Sequence, residues 1–178
     1  MEKTVLFKTI HGSRLYGLDH AGSDEDFYTV VDKVKTARAK WAKQTIIGSE
    51  DTMMLDYGTW LMQCVSGVPQ ALEAMFSQHA IYDSIEEFRY SYRVSTGAYG
   101  RYLRTITSFC MTQDPKRKRH GLRLALNMYD MQETGRFNPS MTPNEVDWAT
   151  EIAKRDCDTV YATAKSIALD RLPPRMLR

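Results

Sequence analysis

The sequence predicts a mixed fold of the α+β or α/β type, in which a small mixed β-sheet is followed by a helical lobe. The first 55 residues contain short apolar runs rich in β-branched and aromatic residues and bounded by Gly, Ser and Asp, which is typical of strands. From Trp60 onward, apolar residues recur at the helical period instead. The 178 residues contain no internal repeat, so we expect a sheet-containing core at 1–90 with a helical lobe packed on it at 91–178.

The composition excludes several classes of protein. Hydrophobic residues make up 43% and charged residues 26% of the chain, as in ordinary globular proteins, and the net charge of +2 is too small to indicate nucleic-acid binding by itself. No apolar stretch approaches the roughly 20 residues of a membrane span, and the N-terminus has no signal-peptide pattern. Three widely spaced cysteines in apolar helical settings favour buried thiols in a reducing compartment: Cys64, Cys110 and Cys157. We therefore expect a cytoplasmic protein with no membrane partner.

Two strands are predicted near the start of the chain, at 5–10 and at 27–31. The second is preceded by Asp24 and Asp26. Because residues two apart in a strand point to the same side, these two carboxylates would project together while Glu25 points away. Paired carboxylates suit a hard divalent cation such as Mg²⁺, which takes oxygen ligands and leaves room for substrate phosphates.

The segment between the two strands begins with Gly12-Ser13. Glycine lets the backbone approach a ligand closely, and serine offers a hydroxyl and an N–H group to a phosphate oxygen. The alternative interpretation is a tight turn rich in Gly, Asp and Ser that links two strands of a hairpin and binds nothing.

A basic segment follows at 32–44. Its cations are Lys33, Lys35, Arg38, Lys40 and Lys43. One interpretation is a solvated loop; the other is a contact for a polyanionic acceptor such as RNA, because neutralising phosphates requires clustered Lys and Arg.

A second pair of strands is predicted at 45–47 and 51–55, joined at Gly48-Ser49. Asp51 begins the second of them. Asp56 follows that strand and directly precedes a helical pattern, so its side chain is predicted to cap the helix by accepting from free backbone N–H groups.

The remainder of the chain is predicted to be helical. Four further helices are expected at 70–76, 92–112, 114–135 and from the capping box at Thr142 to the prolines at 173–174. The third of these carries a polar line at the helical period, formed by Lys116, His120 and Arg123. Taken alone, such a line also fits a basic, solvated helix face.

The residues from 12 to 26 resemble the signature of the DNA polymerase β-like nucleotidyltransferase superfamily. The signature is carried by Gly12-Ser13, a spacer of ten residues, and Asp24-Glu25-Asp26 followed by an apolar residue. With Tyr16-Gly17 and Ser23 included, the segment is similar to the RNA-ligase-associated branch, an RNA-repair type. One position departs from the pattern, since the residue between the aspartates is usually apolar and is a glutamate here, which weakens packing behind the metal face.

The resemblance implies transfer of a nucleoside monophosphate from a nucleoside triphosphate, such as ATP, to an acceptor hydroxyl. It assigns Gly12 and Ser13 to the triphosphate. It assigns Asp24 and Asp26 to one or two Mg²⁺ (or Mn²⁺) ions, together with a third carboxylate on the neighbouring strand, and Asp51 matches that third position. Asp51 is also the residue expected to take the proton of the acceptor. The alternative is that Asp51 is a hairpin residue with no ligand role.

The resemblance also implies that cations of the helical lobe hold the triphosphate, and Lys116, His120 and Arg123 resemble the grouping found in the branch. The neighbouring cations at 117–119 leave open which residue corresponds to its lysine. The acceptor stays open as well: an RNA end in repair, a protein, or a small molecule. A third possibility is a nucleotide-binding module without catalysis, against which the presence of all three carboxylates counts. The oligomeric state is not predicted.

Overall fold

A computed structural model of the chain describes residues 3–32 and 42–170. Its strands are β1 Val5–His11, β2 Glu25–Val31, β3 Ala42–Ile47, β4 Glu50–Asp56 and β5 Ala80–Asp83. Its α-helices are α1 Gly12–Tyr16, α2 Tyr57–Val65, α3 Pro69–Phe76, α4 Glu86–Ser91, α5 Tyr99–Cys110, α6 Pro115–Thr134, α7 Pro143–Ala153 and α8 Cys157–Asp170. A short 3₁₀ helix at Thr96–Ala98 precedes α5.

The described strands form one mixed sheet in the order β3-β4-β2-β1-β5. β2 and β4 run parallel, and the other neighbouring pairs are antiparallel. The helices follow in the second half of the chain, apart from α1 to α4. The predicted fold class, a mixed sheet followed by a helical lobe, is confirmed.

The ends of the helices follow the capping signals in the sequence. Asp56 accepts from the backbone N–H of Thr59 at 3.0 Å and from its hydroxyl at 2.7 Å, which confirms the predicted cap of α2. α6 begins at Pro115 behind the capping side chain of Asp114 and ends at Gly135. The capping box at Thr142 opens α7 as predicted.

Several elements depart from the sequence prediction. The single helix expected from Thr142 to the terminal prolines is instead α7 and α8, separated at 154–156. Asp156 starts α8 by accepting from the backbone N–H of Thr159 at 2.9 Å, and Lys118 donates to the carbonyl of Arg155 at 2.6 Å. The short elements α1, β5 and α4 were not predicted, because segments of four to six residues carry too few periods to be recognised. The helix predicted over 92–112 begins only at Tyr99, after the 3₁₀ helix at Thr96–Ala98.

The core lies where α2 and α3 cover one face of the sheet and continues between α5, α6 and α8. Trp60 is fully buried there and its ring stacks at 6.1 Å on that of Phe7. Cys64 and Cys110 are buried, and all three cysteines are free thiols. Within the described ranges, no helix is long and apolar enough to cross a membrane.

Candidate functional site

Three polar residues form a row at one end of the three neighbouring strands β1, β2 and β4. His11 of β1 is paired in register with Asp26 of β2, and Asp26 is paired in turn with Asp51 of β4. Residues that face each other on neighbouring strands point to the same side of the sheet, so the three side chains lie next to one another. The structure therefore brings together two of the three predicted carboxylates, and it adds a histidine that the sequence reasoning missed.

Asp24 also lines the cavity, but it does not lie on the strand face where the sequence prediction placed it. It precedes the first residue of β2, so strand alternation does not set its direction, and it is exposed. Burial raises the pKa of Asp26, and so do the nearby charges of Asp51 and Asp24, whereas Lys116 and Arg14 act in the opposite direction. The three carboxylates are thus electrostatic neighbours.

The donor set suits a hard cation, but the described residues do not form a complete cage. Asp51 accepts a hydrogen bond from the side-chain amide of Gln44 at 2.7 Å through Oδ2, while Oδ1 is buried without a hydrogen-bond partner among the described residues. No group of three or more His, Cys, Asp or Glu side chains in this part of the chain is arranged to hold a metal ion. Asp26 and the free oxygen of Asp51 fit a divalent cation that would need further oxygen ligands, such as substrate phosphates and water.

Gly12 has a role that the sequence reasoning did not identify. Its φ is +64°, a conformation that L side chains rarely adopt, and a Cβ built there would lie 1.7 Å from Oδ2 of Asp26. The space left by the missing side chain is therefore occupied by the carboxylate of Asp26. Ser13 follows, half-buried, and lines the same cavity.

The cavity has a volume of about 860 Å³, and its two sides carry opposite charges. The sheet side presents the three aspartates and the Gly12-Ser13 turn. The helix side presents four residues of α6, at positions spaced by three or four: Lys116, Arg119, His120 and Arg123. A polyanion with bound cations would fit between such walls, because each side would face a complementary charge.

The structure distinguishes among the crowded cations of α6. Arg119 lines the cavity and was not among the predicted site residues. Arg117 instead lies over the ring of Phe109 at 5.3 Å, and Lys118 is buried. The helical spacing in the sequence could have identified Arg119 as a cavity residue. Positions 116, 119, 120 and 123 share one helical face, whereas 117 and 118 do not.

His120 lines the cavity as a neutral group at physiological pH. Burial lowers its pKa to about 4, and the nearby charge of Arg123 acts in the same direction. Glu73 opposes this lowering, and Arg119 and Lys116 add smaller contributions to it. Its ring meets the ring of Tyr16 edge to face at 5.7 Å. His120 can therefore donate or accept a hydrogen bond there but does not supply a positive charge.

Arg123 is 3% exposed, although the sequence pattern places it on a polar line. Its Nη2 lies 2.8 Å from Oε1 of Glu73, itself only 1% exposed, and its guanidinium lies 3.6 Å from the ring centroid of Tyr16. The hydroxyl of Tyr16 donates to Oε2 of Glu73 at 2.6 Å. A buried network that includes His11 thus adjoins the cavity, and the only sign of it in the sequence is a glutamate within the otherwise uncharged segment of α3.

Two further predictions concern the surface. Glu25, the residue that departs from the superfamily pattern, forms a half-exposed ion pair with Arg14 at 2.8 Å. Of the basic segment, Lys43 is exposed on β3, and the other cations, at 33, 35, 38 and 40, lie outside the described residues.

The chain matches no protein-family profile and no curated protein. A solved structure of a nucleotidyltransferase-like protein from Exiguobacterium sibiricum is similar over 96% of this chain and 70% of that chain, with 9% sequence identity and a TM-score of 0.34. At so low a TM-score the similarity does not assign the chain to a family and does not bear on its site.

Proposed function

We propose that this protein is a metal-dependent nucleotidyltransferase that moves a nucleoside monophosphate from a nucleoside triphosphate to an acceptor hydroxyl. The observation that carries the proposal is the cavity in which Asp24, Asp26 and Asp51 face the cationic side of α6. The motif resemblance of residues 12–26 supports it, because the same residues line that cavity.

The chain's own residues have separate tasks in this proposal. Asp26 and Asp51 would hold Mg²⁺ or Mn²⁺, with Asp24 at the rim. The ion would neutralise charge on the triphosphate and assist departure of pyrophosphate. Ser13 and the cations Lys116 and Arg119 would bind phosphate oxygens and orient the α-phosphate toward the acceptor.

We propose RNA as the acceptor, as in end repair, and the basic segment at 32–44 is the feature that favours it. A protein or a small-molecule hydroxyl is the alternative outcome of the experiment below. Retention of the fold only for nucleotide binding is the other alternative, and it predicts binding without transfer.

Transfer of label from each radiolabelled nucleoside triphosphate tests the proposal, with Mg²⁺ or Mn²⁺ and a pool of RNAs, proteins and small polyols as acceptors. We expect labelled product from the wild type, and a loss of roughly 100-fold or more in Asp26→Asn, because a metal ion supplies several kcal/mol of charge stabilisation. The melting temperature should not fall, because burial and neighbouring carboxylates already disfavour the charge of Asp26.

The matched control is Glu25→Gln, which neutralises the adjacent carboxylate on the opposite face of the strand. It should retain activity within about twofold, since surface ion pairs contribute about 0–1 kcal/mol. Full metal-dependent activity in Asp26→Asn would show that the carboxylates do not carry the reaction. Failure of the wild type to bind any nucleoside triphosphate would reject nucleotidyl transfer altogether.

A further inference from the structure

The centre of the buried network is Glu73, a carboxylate in a position where charge is ordinarily excluded. It is 1% exposed, and it is the only charged residue of α3. Its neighbours in the helix, Leu72 and Ala74, are fully buried. Removing a carboxylate from water costs several kcal/mol unless partners compensate, so the residues around Glu73 indicate why it is there.

Those partners are close, although Oε1 contacts Arg123 as an ion pair without hydrogen-bond geometry. Oε2 accepts from the Tyr16 hydroxyl at 2.6 Å, Oε1 lies 2.8 Å from Nη2 of Arg123, and Nε2 of His11 lies 4.0 Å from Oε2. Burial by itself would raise the pKa of Glu73, but the charge of Arg123, the neighbouring His11 and the hydrogen bond from Tyr16 lower it. Glu73 raises the pKa of Arg123 in return, despite burial of the guanidinium. The two residues are thus an ionised buried pair.

Each partner belongs to an element that forms a wall of the cavity. His11 directly precedes the Gly12-Ser13 turn and is paired in register with Asp26. Tyr16 ends α1, which begins at that turn. Arg123 lies on the face of α6 that also carries the cavity cations. Glu73 therefore connects the carboxylate side of the cavity to the cationic side.

We propose that Glu73 is a positioning residue that sets the placement of the Gly12-Ser13 turn relative to α6, acting through Tyr16 and Arg123. This inference rests on the proposed function for its consequence, which is the affinity for the nucleoside triphosphate. Arg123 lines the cavity, and its Nε and Nη1 are buried without hydrogen-bond partners in the described part of the chain.

The ion pair of Arg89 and Asp83 also links several elements but lies outside the candidate cavity. Arg89 pairs with Asp83, and it also donates to the carbonyl oxygens of Met75 at 3.2 Å and Ala74 at 3.3 Å. These groups join β5, α4 and the end of α3, and neither Arg89 nor Asp83 lines the candidate cavity. Asp83→Asn is therefore a control that makes the same chemical change as Glu73→Gln in a buried pair remote from the site.

The first arm of the experiment uses ligand-free protein and hydrogen–deuterium exchange. Glu73→Gln should increase exchange about tenfold in residues 12–18 and 116–123, because it removes the charge that holds Arg123, whereas Asp83→Asn should increase exchange around 80–91 instead. Unchanged exchange in 12–18 and 116–123 would overturn the positioning role. Because no nucleotide is present, this result holds whether or not the proposed function is correct.

The second arm measures the Kd of a nucleoside triphosphate in the presence of Mg²⁺. Glu73→Gln should weaken binding about tenfold, and Asp83→Asn should leave it within twofold even if both variants lose melting temperature equally. In an Arg123→Lys background, Glu73→Gln should have less than a twofold effect, since a residue that acts through Arg123 gives non-additive losses. Equal loss of affinity in both single variants, or fully additive losses, would contradict the proposal. If the wild type fails to bind the nucleoside triphosphate, the proposed function is rejected. The positioning role of Glu73 is then tested by hydrogen–deuterium exchange alone.

Discussion

The space beside Gly12 is small enough to make this glycine a sensitive position in the site. Gly12→Ala would place a methyl carbon 1.7 Å from Oδ2 of Asp26 and would strain the backbone at a φ of +64°. We expect the carboxylate to be displaced and transfer to fall by roughly 100-fold, as for loss of the charge itself. Activity and melting temperature, measured on the same preparation, check this expectation.

Gly48→Ala separates the two effects in Gly12→Ala. Its φ of +61° is nearly the same, but a Cβ there would meet no atom of the described residues within 4 Å. This variant should show only the backbone strain, about 1 kcal/mol of lost stability, with activity unchanged. Comparable loss of activity in the two variants would mean that strain, and not the displaced carboxylate, explains the effect.

The neutral state of His120 predicts a pH dependence of stability. The pKa of this residue is about 4 in the folded protein, against an ordinary value of 6.5. Between these values the unfolded chain binds a proton that the folded protein does not, so stability decreases as the pH falls from 6.5 toward 4. The slope from one such group is at most about 1.4 kcal/mol per pH unit.

His120→Gln should therefore flatten the decrease in unfolding free energy between pH 6.5 and 4, as measured by denaturant unfolding. Affinity for the triphosphate at pH 7.5 should change little through charge, because the histidine is already neutral there. His79→Gln, an exposed histidine that does not line the cavity, is the control and should retain the wild-type slope. An unaltered slope in His120→Gln would show that this residue is not the source of the effect.

At the scale of elements, α6 combines two environments around one helix. Leu122, Ala125 and Tyr129 pack into the core, whereas Lys116 and Arg119 line the cavity. Lys116→Ala and Arg119→Ala should each weaken nucleoside triphosphate binding about five- to tenfold, since a hydrogen bond to a charged group contributes about 1.5–3 kcal/mol and part of this is lost to solvent screening. Isothermal titration in Mg²⁺ measures the effect.

Arg117→Ala is the control for that comparison, because it removes an equal charge from the same helix at a residue that lies over Phe109. Binding should stay within about twofold of the wild type, as expected for a screened charge outside the cavity. Three equal losses would indicate that only the total charge of the helix matters.

The burial of Arg123 alters what its replacement is expected to do. The polar line in the sequence suggests a surface residue whose loss would change nucleotide affinity more than melting temperature. In the structure, Arg123→Ala would leave Glu73 buried without its main counter-charge, which destabilises proteins by about 3–5 kcal/mol. Arg123→Lys avoids this penalty in part because it retains the charge, whereas Glu73→Gln leaves the guanidinium without its counter-charge but keeps an acceptor oxygen beside it.

At the scale of the whole molecule, the near-balanced charge of 24 cationic and 22 acidic side chains provides little general attraction for nucleic acid. Binding of single-stranded RNA would therefore depend on clustered cations. The logarithm of affinity should fall with the logarithm of salt concentration by about 0.7 per contacted phosphate. Filter binding or fluorescence anisotropy across a salt series provides the slope.

Neutralising Lys35, Arg38 and Lys40 together should flatten that slope by about two units if all three contact phosphates. Affinity for the nucleoside triphosphate should remain unchanged. An unaltered slope would transfer RNA binding to the cations at 116–119. Absence of RNA binding at low salt would favour a protein or small-molecule acceptor.

The sequence was sufficient wherever the deciding interactions are local. The capping of α2 by Asp56 and of α7 by Thr142 depends on atoms three residues away, so a short pattern specifies it. The strands before and after the Gly12-Ser13 turn were recognised for the same reason, because a short apolar run and the Gly, Ser and Asp that bound it are properties of consecutive residues. At the break in the long helix predicted after Thr142, a local cap of Asp156 on Thr159 adjoins a bond from Lys118, in a distant part of the chain, to the carbonyl of Arg155.

The arrangement of the site depended on contacts between distant segments. Register between β2 and β4 places Asp26 beside Asp51, and Glu73 meets Tyr16 across a separation of 57 residues. The chain alone places Glu73 within an apolar helical segment but does not identify its partners, which become visible only when α1, α3 and α6 meet. Periodicity and capping arise from bonds along the chain, but burial of a charge is decided by which groups the folded chain places around it.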